Sequence, residues 1–434
     1  MGDEDLSPEN ADGDTRPPAP STSSSLAKDR EFMKFWVGDT IAQFTGQVSD
    51  LAIPTIAVLV LQVTGFELGI LNALAFIAFP LLGLFVGVWI DRVKRKPVLV
   101  GMSLIQVIIL ASIPVAFFLG VLGLSQLYVV ALVMGTTTLF FDVAYQSYLP
   151  GLVSRDRVVE GNQKLQISAS AAQVIGPTVA SGLMALLGAP PAVAADALGT
   201  LAAALLILSI RRAEPRPEGS LSGARRDFFA EMKEGIHVIS SNKLLWTQAG
   251  CTGTSNLGSN IFTVALFLYA YRVLGITQGE IGVAFSMGAA GFLFGALVSR
   301  RVTAKIGLGR AIALSVVANF GLLIVLLANG GTAVFVLGLA FFIGFMGVPI
   351  YNINQVSLRQ IITPNRLQGR MNATMRTIVW GTIPVGAFLG GVLATGLGIV
   401  PSLIVGILIS GGSALWIVLG PIFRLKVQPE PVDD

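Results

Sequence analysis

From Phe32 onward, apolar runs of about 20 residues recur, each closed by a short polar or Gly/Pro-marked break. A run of that length crosses about 30 Å of hydrocarbon as a helix rising about 1.5 Å per residue. Lipid offers the backbone no hydrogen-bond partners, so runs of this kind must form helices that satisfy their own backbone. The runs predict spans at 33–62, 66–90, 97–119, 124–149, 162–188 and 191–210. A second set follows at 243–272, 276–299, 308–328, 332–358, 367–395 and 399–423. The expectation is an all-α integral membrane protein with twelve transmembrane helices in two pseudo-symmetric six-helix bundles. Composition agrees: 53% of residues are hydrophobic, 12% are charged and the mean hydropathy is +0.75. Soluble domains carry about 25% charged residues, enough to cover a water-facing surface, and this chain does not.

Lysine and arginine set the orientation. With the N-terminus inside, Arg272 is the one basic residue of 29 that falls on the outer side. Both termini are therefore expected in the cytoplasm, with the chain a multi-pass protein of the inner (plasma) membrane. Residues 1–30 are acidic at the start and rich in Pro, Ser and Thr, and read as a disordered cytoplasmic tail. Residues 31–211 form the first bundle and 243–424 the second, with a short cytoplasmic tail at 425–434. Between the bundles, residues 212–242 read as a cytoplasmic linker. Phe228, Phe229, Met232, Ile236 and Ile239 recur there at the spacing of an amphipathic surface helix.

Several function classes drop out. A single cysteine, Cys251, excludes an intramolecular disulfide, and a single histidine, His237, excludes a histidine-cluster metal site. No phosphate-binding glycine loop, nucleophile elbow or H-E-x-x-H stretch is present. Neither enzymatic chemistry nor a metal, cofactor or nucleic-acid partner is expected.

The halves resemble each other at an offset near 209 residues. Leu149, Val153, Ser154, Asp156 and Arg157 align with Leu358, Ile362, Thr363, Asn365 and Arg366; Gly83, Gly87 and Arg92 with Gly291, Gly295 and Arg300; Pro191 with Pro401. Parallel six-helix repeats place a binding site near the membrane midplane, between halves that rock against each other.

After the second span the chain reads Gly87-Val88-Trp89-Ile90-Asp91-Arg92-Val93-Lys94-Arg95-Lys96. This resembles the G-x-x-x-D-R-x-G-R-[KR] loop of the major facilitator superfamily, with Lys94 in place of a glycine. Phe228-Phe229 ahead of Glu234-Gly235-Ile236, and Leu149-Pro150-Gly151-Leu152-Val153, are similar to the branch with enterobactin-type siderophore exporters and macrolide efflux proteins. The resemblance implies a secondary transporter, usually a monomer. It also implies a conformational gate made of Gly87, Asp91, Arg92 and Arg95, with Arg95 pairing with Asp142. A purely topological role for these charges stays open.

Polar residues inside the apolar spans are the remaining signal. Asp39, Gln43, Gly46, Gln47 and Asp50 share one face of the first helix. An acid inside a span costs about 2.5–3.5 kcal/mol on insertion scales, so such residues mark functional sites. Counted from Lys34, Asp50 falls near the middle of its span. Asp50 and Asp39 are the candidates for proton coupling. Gln43, Gln47, Gln166, Gln173, Asn256, Asn260, Asn352, Arg376 and Trp380 are the candidates for lining a substrate cavity. Taken singly, each polar group could equally serve helix packing or bond its own backbone. Asp196, one or two turns from the outer end of the sixth helix, either titrates or snorkels to water. With no nucleotide chemistry in the chain, transport would draw on a gradient. The expected activity is proton-coupled efflux of a small amphiphilic molecule, a drug or siderophore-like compound. A uniporter or importer, and a non-transporting membrane sensor or assembly protein, are the alternatives.

Overall fold

The computed structural model describes residues 26–90, 92–154, 157–212, 214 and 236–430, and every regular element among them is helical. The main helices are α1 (Arg30–Thr55), α2 (Gly65–Phe76), α3 (Ala78–Ile90), α4 (Arg95–Phe118), α5 (Leu124–Leu152), α6 (Val158–Leu187) and α7 (Ala189–Leu208). They continue with α8 (Lys243–Leu268), α9 (Gln278–Ile306), α10 (Leu308–Val317), α11 (Ala333–Ile361), α12 (Asn365–Gly396), α13 (Ile399–Gly412) and α14 (Ala414–Leu419). The end of the molecule carrying Arg95, Arg212 and Arg424 is the basic end; the opposite end is the far end.

Among the described residues, ten helical stretches are long and apolar enough to cross a membrane. The spans expected at 33–62 and 243–272 are helical but fall outside those ten. Their polar stripes, Asp39 to Asp50 in α1 and Gln248 to Asn260 in α8, dilute the hydropathy. The span expected at 66–90 is broken at Ile77 into α2 and α3.

Local signals account for the ends. Asp29 caps α1 by accepting the N–H groups of Glu31 and Phe32. Thr64 with Glu67, and Thr277 with Glu280, form capping boxes at α2 and α9. Gly188 (φ 83°) and Gly398 (φ 95°) take a backbone conformation closed to most side chains, and they redirect the chain into α7 and α13. Ordered structure also begins earlier than the composition of the tail suggests. Leu26 is fully buried and its N–H donates to Glu160 Oε1 at 3.1 Å. Residues 1–25, most of the linker with Phe228, Phe229 and Met232, and Asp91 of the gate loop lie outside the described residues.

The start of α4 gains a cap from the linker. Lys94 offers no side-chain cap, but Glu214 accepts the N–H groups of Arg95 at 2.7 Å and Lys96 at 3.1 Å. The Arg95 guanidinium lies 3.7 Å from the same carboxylate. A carboxylate at a helix N-terminus satisfies orphan donors and meets the positive end of the dipole. Glu214→Ala is expected to cost about 1 kcal/mol, read as a lowered thermal midpoint in detergent, with Glu214→Gln losing less.

Helix lengths recur between the halves, and the helix starts set the register, which shifts along the chain. α1 and α8 are each 26 residues long and each runs into a five-residue π turn, Ile56–Val60 and Tyr269–Val273. Arg30 thus corresponds to Lys243 and Thr64 to Thr277, an offset of 213. α5 and α11 are each 29 residues long and start at Leu124 and Ala333, an offset of 209. The pairing of Gly83, Gly87 and Arg92 with Gly291, Gly295 and Arg300 is therefore corrected: in the 213 register Gly87 corresponds to Arg300 and Arg92 to Lys305. The connections before α5 and α11 are both five residues, so the four-residue difference lies in the preceding helices: α4 has 24 residues and its counterpart, Leu308–Leu327, has 20, the second half of them in a more extended 3-10 helix.

Candidate functional site

The two halves of the chain meet most closely at the far end. α2 packs on α12 and α6 on α9. A Cβ placed on Gly69 would lie 2.7 Å from Gly391 Cα and 2.8 Å from the Ala387 carbonyl. The Phe66 N–H donates to Thr395 Oγ1 at 2.8 Å, and Thr55 and Tyr271 hydroxyls share a buried hydrogen bond of 2.8 Å. Arg272, the basic residue of the far end, donates to the Val63 carbonyl.

At mid-depth the halves are joined by charge. Arg376 Nη2 donates to Asp142 Oδ2 at 3.1 Å. Asp142 lies 10 residues before the end of α5 and Arg376 is 11 residues into α12, about 15 Å from the basic end of each helix. The guanidinium stands 4.2 Å above the Trp380 ring and 5.7 Å above Phe79, whose own ring is 4.8 Å from Trp380. A planar guanidinium suits both roles at once, accepting an aromatic face while donating in its plane. The expected Arg95–Asp142 pairing is thus corrected. Glu214 takes Arg95 and Arg376 takes Asp142, because α4 begins at the basic end while Asp142 is several turns deeper.

The acidic stripe of α1 faces an internal cavity of about 210 Å³. α1, α4, α5 and α7 build it, all from the first half. Asp39, Gln43, Gly46, Ser49 and Asp50 come from α1, Gln106 from α4, Asp142 from α5, and Asp196 with Thr200 from α7. Asp39 and Asp196 are 4% and 2% exposed, so Asp196 does not snorkel. Asp50 is exposed and is also among the residues that line the cavity. It lies 20 residues into α1, about 30 Å from the basic end, beyond the middle where counting from Lys34 puts it. The helix begins earlier than that count assumes. Thr200 donates to Asp196 Oδ1 at 3.3 Å, while Asp39 Oδ2 and Ser49 Oγ are buried and lack a close hydrogen bond. Asp196 was legible as an intramembrane acid; Ser49 carried no signal that separates it from a packing serine.

The other expected cavity residues scatter. Gln166, Gln173 and Asn352 are exposed. The Asn256 amide donates to the Val379 carbonyl at 3.1 Å, joining α8 to α12, and Asn260 bonds its own helix at Asn256. Gln47 packs against Gly176 of α6. Gly87 has no neighbour within 4 Å of a built Cβ, and Arg92 is exposed.

Known proteins match this geometry. Macrolide efflux protein A of Streptococcus pyogenes is 24% identical over 382 residues, spanning 85% of this chain and 90% of that one. The crystal structure of nucleoside transporter NupG superposes with a TM-score of 0.67 at 13% identity, covering 90% of this chain and 98% of that one. A bacterial homologue of the iron transporter ferroportin, in an inward-facing state, gives 0.68 at 16% identity, covering 91% and 99%. The family model of the Major Facilitator Superfamily matches residues 35–383, four-fifths of the chain. With its helical membrane spans, its halves meeting face to face and this match, the chain belongs to the Major Facilitator Superfamily and is a membrane transporter.

Proposed function

We propose that the protein is a proton-driven exporter of small amphiphilic molecules, working by alternating access. Twelve crossings in two pseudo-symmetric bundles rock about the interface described above, with the basic end and both termini in the cytoplasm of a plasma-membrane monomer. The observation that carries the reading is the row of acids on α1. Asp39 and Asp50 line one polar cavity within the membrane-spanning part, where an acid without a task is costly. Efflux is supported by the likeness to macrolide efflux protein A over most of both chains.

The substrate path lies between the halves. Trp380 and Phe79 offer aromatic faces there, and Gln166, Gln173 and Asn352 offer exposed amides on helices too apolar to present them to lipid. Gly87, Asp91, Arg92 and Arg95 form the gate at the cytoplasmic end. The Asp142–Arg376 pair holds the halves together at mid-depth.

Everted vesicles with an imposed proton gradient test this. Macrolides, tetracyclines, other amphiphilic drugs and siderophores are added singly while internal pH is followed. The expected result is at least one compound that dissipates the gradient in wild type and at least tenfold more slowly in Asp50→Asn. Transport that persists unchanged in Asp50→Asn identifies a uniporter or importer. Binding with no transport of any compound identifies a sensor or assembly protein.

A further inference from the structure

We propose that Asp50 and Asp196 act as one proton-holding carboxyl pair inside the first half, apart from the path of the transported molecule. The inference rests on the exporter reading and names where its coupling proton resides. Every residue lining the cavity belongs to α1, α4, α5 or α7, so the first half alone supplies its walls. Asp50 and Asp196 both line its part toward the far end. Asp196 lies seven residues into α7, about 10 Å from that end. Asp39 and Asp142, with Tyr145 beside Asp39, sit lower, about 16 Å down α1, where Arg376 of α12 reaches Asp142. α4 contributes Ser103 and Gln106 and no titratable group.

The acids alone would not make a site. Two buried oxygens of the same cavity, Asp39 Oδ2 and Ser49 Oγ, on residues 4% and 3% exposed, lack a close hydrogen bond, with Tyr145 and Gln43 near the first and Asp196 near the second. Buried polar atoms left unpaired cost about 1–3 kcal/mol each, and a polar cavity holding water and a transferable proton satisfies them.

The second half supplies an internal control. With offsets of 213 for α1 and α4, 209 for α5 and 210 for α7 (Ala189 to Ile399), all set by the helix starts, Asp39 and Asp142 correspond to Thr252 and Tyr351, whose hydroxyls bond each other at 2.6 Å. Gln106 and Thr200 correspond to Asn319 and Ser410, joined at 2.8 Å. Ser49 and Asp196 correspond to Phe262 and Gly406, where a Cβ on the glycine would lie 2.6 Å from the Phe262 nitrogen. Asp50 corresponds to Thr263, which bonds its own helix at the Ser259 carbonyl, 2.9 Å away. Each carboxylate thus has a neutral counterpart that is hydrogen-bonded or packed shut. The second half shows that the scaffold packs without these acids, so their retention in the first half is not demanded by folding.

Two carboxylates lining one compartment inside the span repel, and one shared proton relieves that repulsion. In this arrangement the proton enters at Asp50 and Asp196 when the far end is open. It leaves past Gln43 to Asp39 and Asp142, where neutralising Asp142 frees Arg376 and loosens the halves. No bond other than O–H is made or broken.

The test uses the purified full-length protein and needs no substrate. Infrared difference spectra follow the protonated-carboxyl stretch as pH is stepped, in wild type, Asp50→Asn, Asp196→Asn and the double variant. The expected result is a titrating band in wild type that each single variant abolishes, with no further loss in the double. Asp196→Glu is expected to keep the band at a shifted frequency, and stands in if Asp196→Asn does not purify as a single species. Losses that add, or an Asp196→Asn spectrum equal to wild type, overturn the pair. Displacement of the band by sodium but not by choline overturns it in favour of a metal-cation site. A band behaving as expected beside silent vesicles would leave the pair standing and remove the exporter reading.

Discussion

Replacing Gly69 with leucine is expected to abolish transport while leaving the protein folded and its far end open. The reason is the absence of space. A Cβ at Gly69 would lie 2.7 Å from Gly391 Cα, 2.8 Å from the Ala387 carbonyl and 2.9 Å from the Gly391 nitrogen, all backbone atoms with no rotamer to yield. Overpacking costs about 1–3 kcal/mol where side chains can adjust, and a leucine against backbone meets the upper end of that range or exceeds it. The clash exists only while α2 lies on α12, so the substitution disfavours one state of the cycle and not the fold. A bias of about 3 kcal/mol shifts a two-state balance by more than a hundredfold. The measurement is thiol labelling from the far side in a Cys251→Ser background with Thr395→Cys as reporter. The hydroxyl of Thr395 accepts the Phe66 N–H in the closed contact, so labelling should rise at least tenfold with Gly69→Leu. Gly101→Ala, where no atom lies within 4 Å of a built Cβ, should change neither labelling nor transport. Unchanged labelling in Gly69→Leu would show that the glycine contact is not the closing surface.

The second large effect is expected at the charge pair that joins the halves. Asp142 and Arg376 meet at 3.1 Å with side chains 35% and 31% exposed, between the buried and the surface extremes. Exposed pairs contribute about 0–1 kcal/mol, and breaking a buried one costs about 3–5 kcal/mol. The aromatic faces of Trp380 and Phe79 add about 0.5–2 kcal/mol of cation–π attraction. Arg376→Gln removes both contributions and is expected to lower transport at least tenfold. Arg376→Lys should fall between, because an ammonium keeps the charge and loses the plane that lets one group stack and donate together. Asp142→Asn leaves the stacked cation without its counter-charge. In a double-mutant cycle the Asn/Gln pair should cost less than the sum of the single variants, and strict additivity would mean that the pair carries no coupling.

Much of this molecule was legible along the chain. The apolar runs and the acidic stripe of α1 are local features, read from periodicity and residue type. The G-x-x-x-D-R loop carries the family in a stretch of ten residues, and the family match over residues 35–383 agrees with it. The candidate site was legible in parts. Asp39 and Asp50 share a face because α1 is one helix, and that face does turn to a cavity. That the cavity is closed by Gln106, Asp142 and Asp196 could not be read, since those residues are 56 to 157 positions away from Asp39 or Asp50 in sequence.

The chain by itself determined the helices, the polar face of α1 and the basic end, because hydropathy, capping and charge act within a few turns. Tertiary packing decided which charges meet. Arg95 found Glu214 across 119 residues and Arg376 found Asp142 across 234, pairings set by the depth at which each helix begins. It also decided the register between the halves, 213 for α1 and α4, 209 for α5 and 210 for α7, since a 3-10 stretch covers in 20 residues the depth that α4 covers in 24. The contrast between an open acidic compartment in the first half and its closed neutral counterpart rests on that register. It emerges only when Asp196 is set against Gly406 and Asp142 against Tyr351, and helix packing alone makes those comparisons.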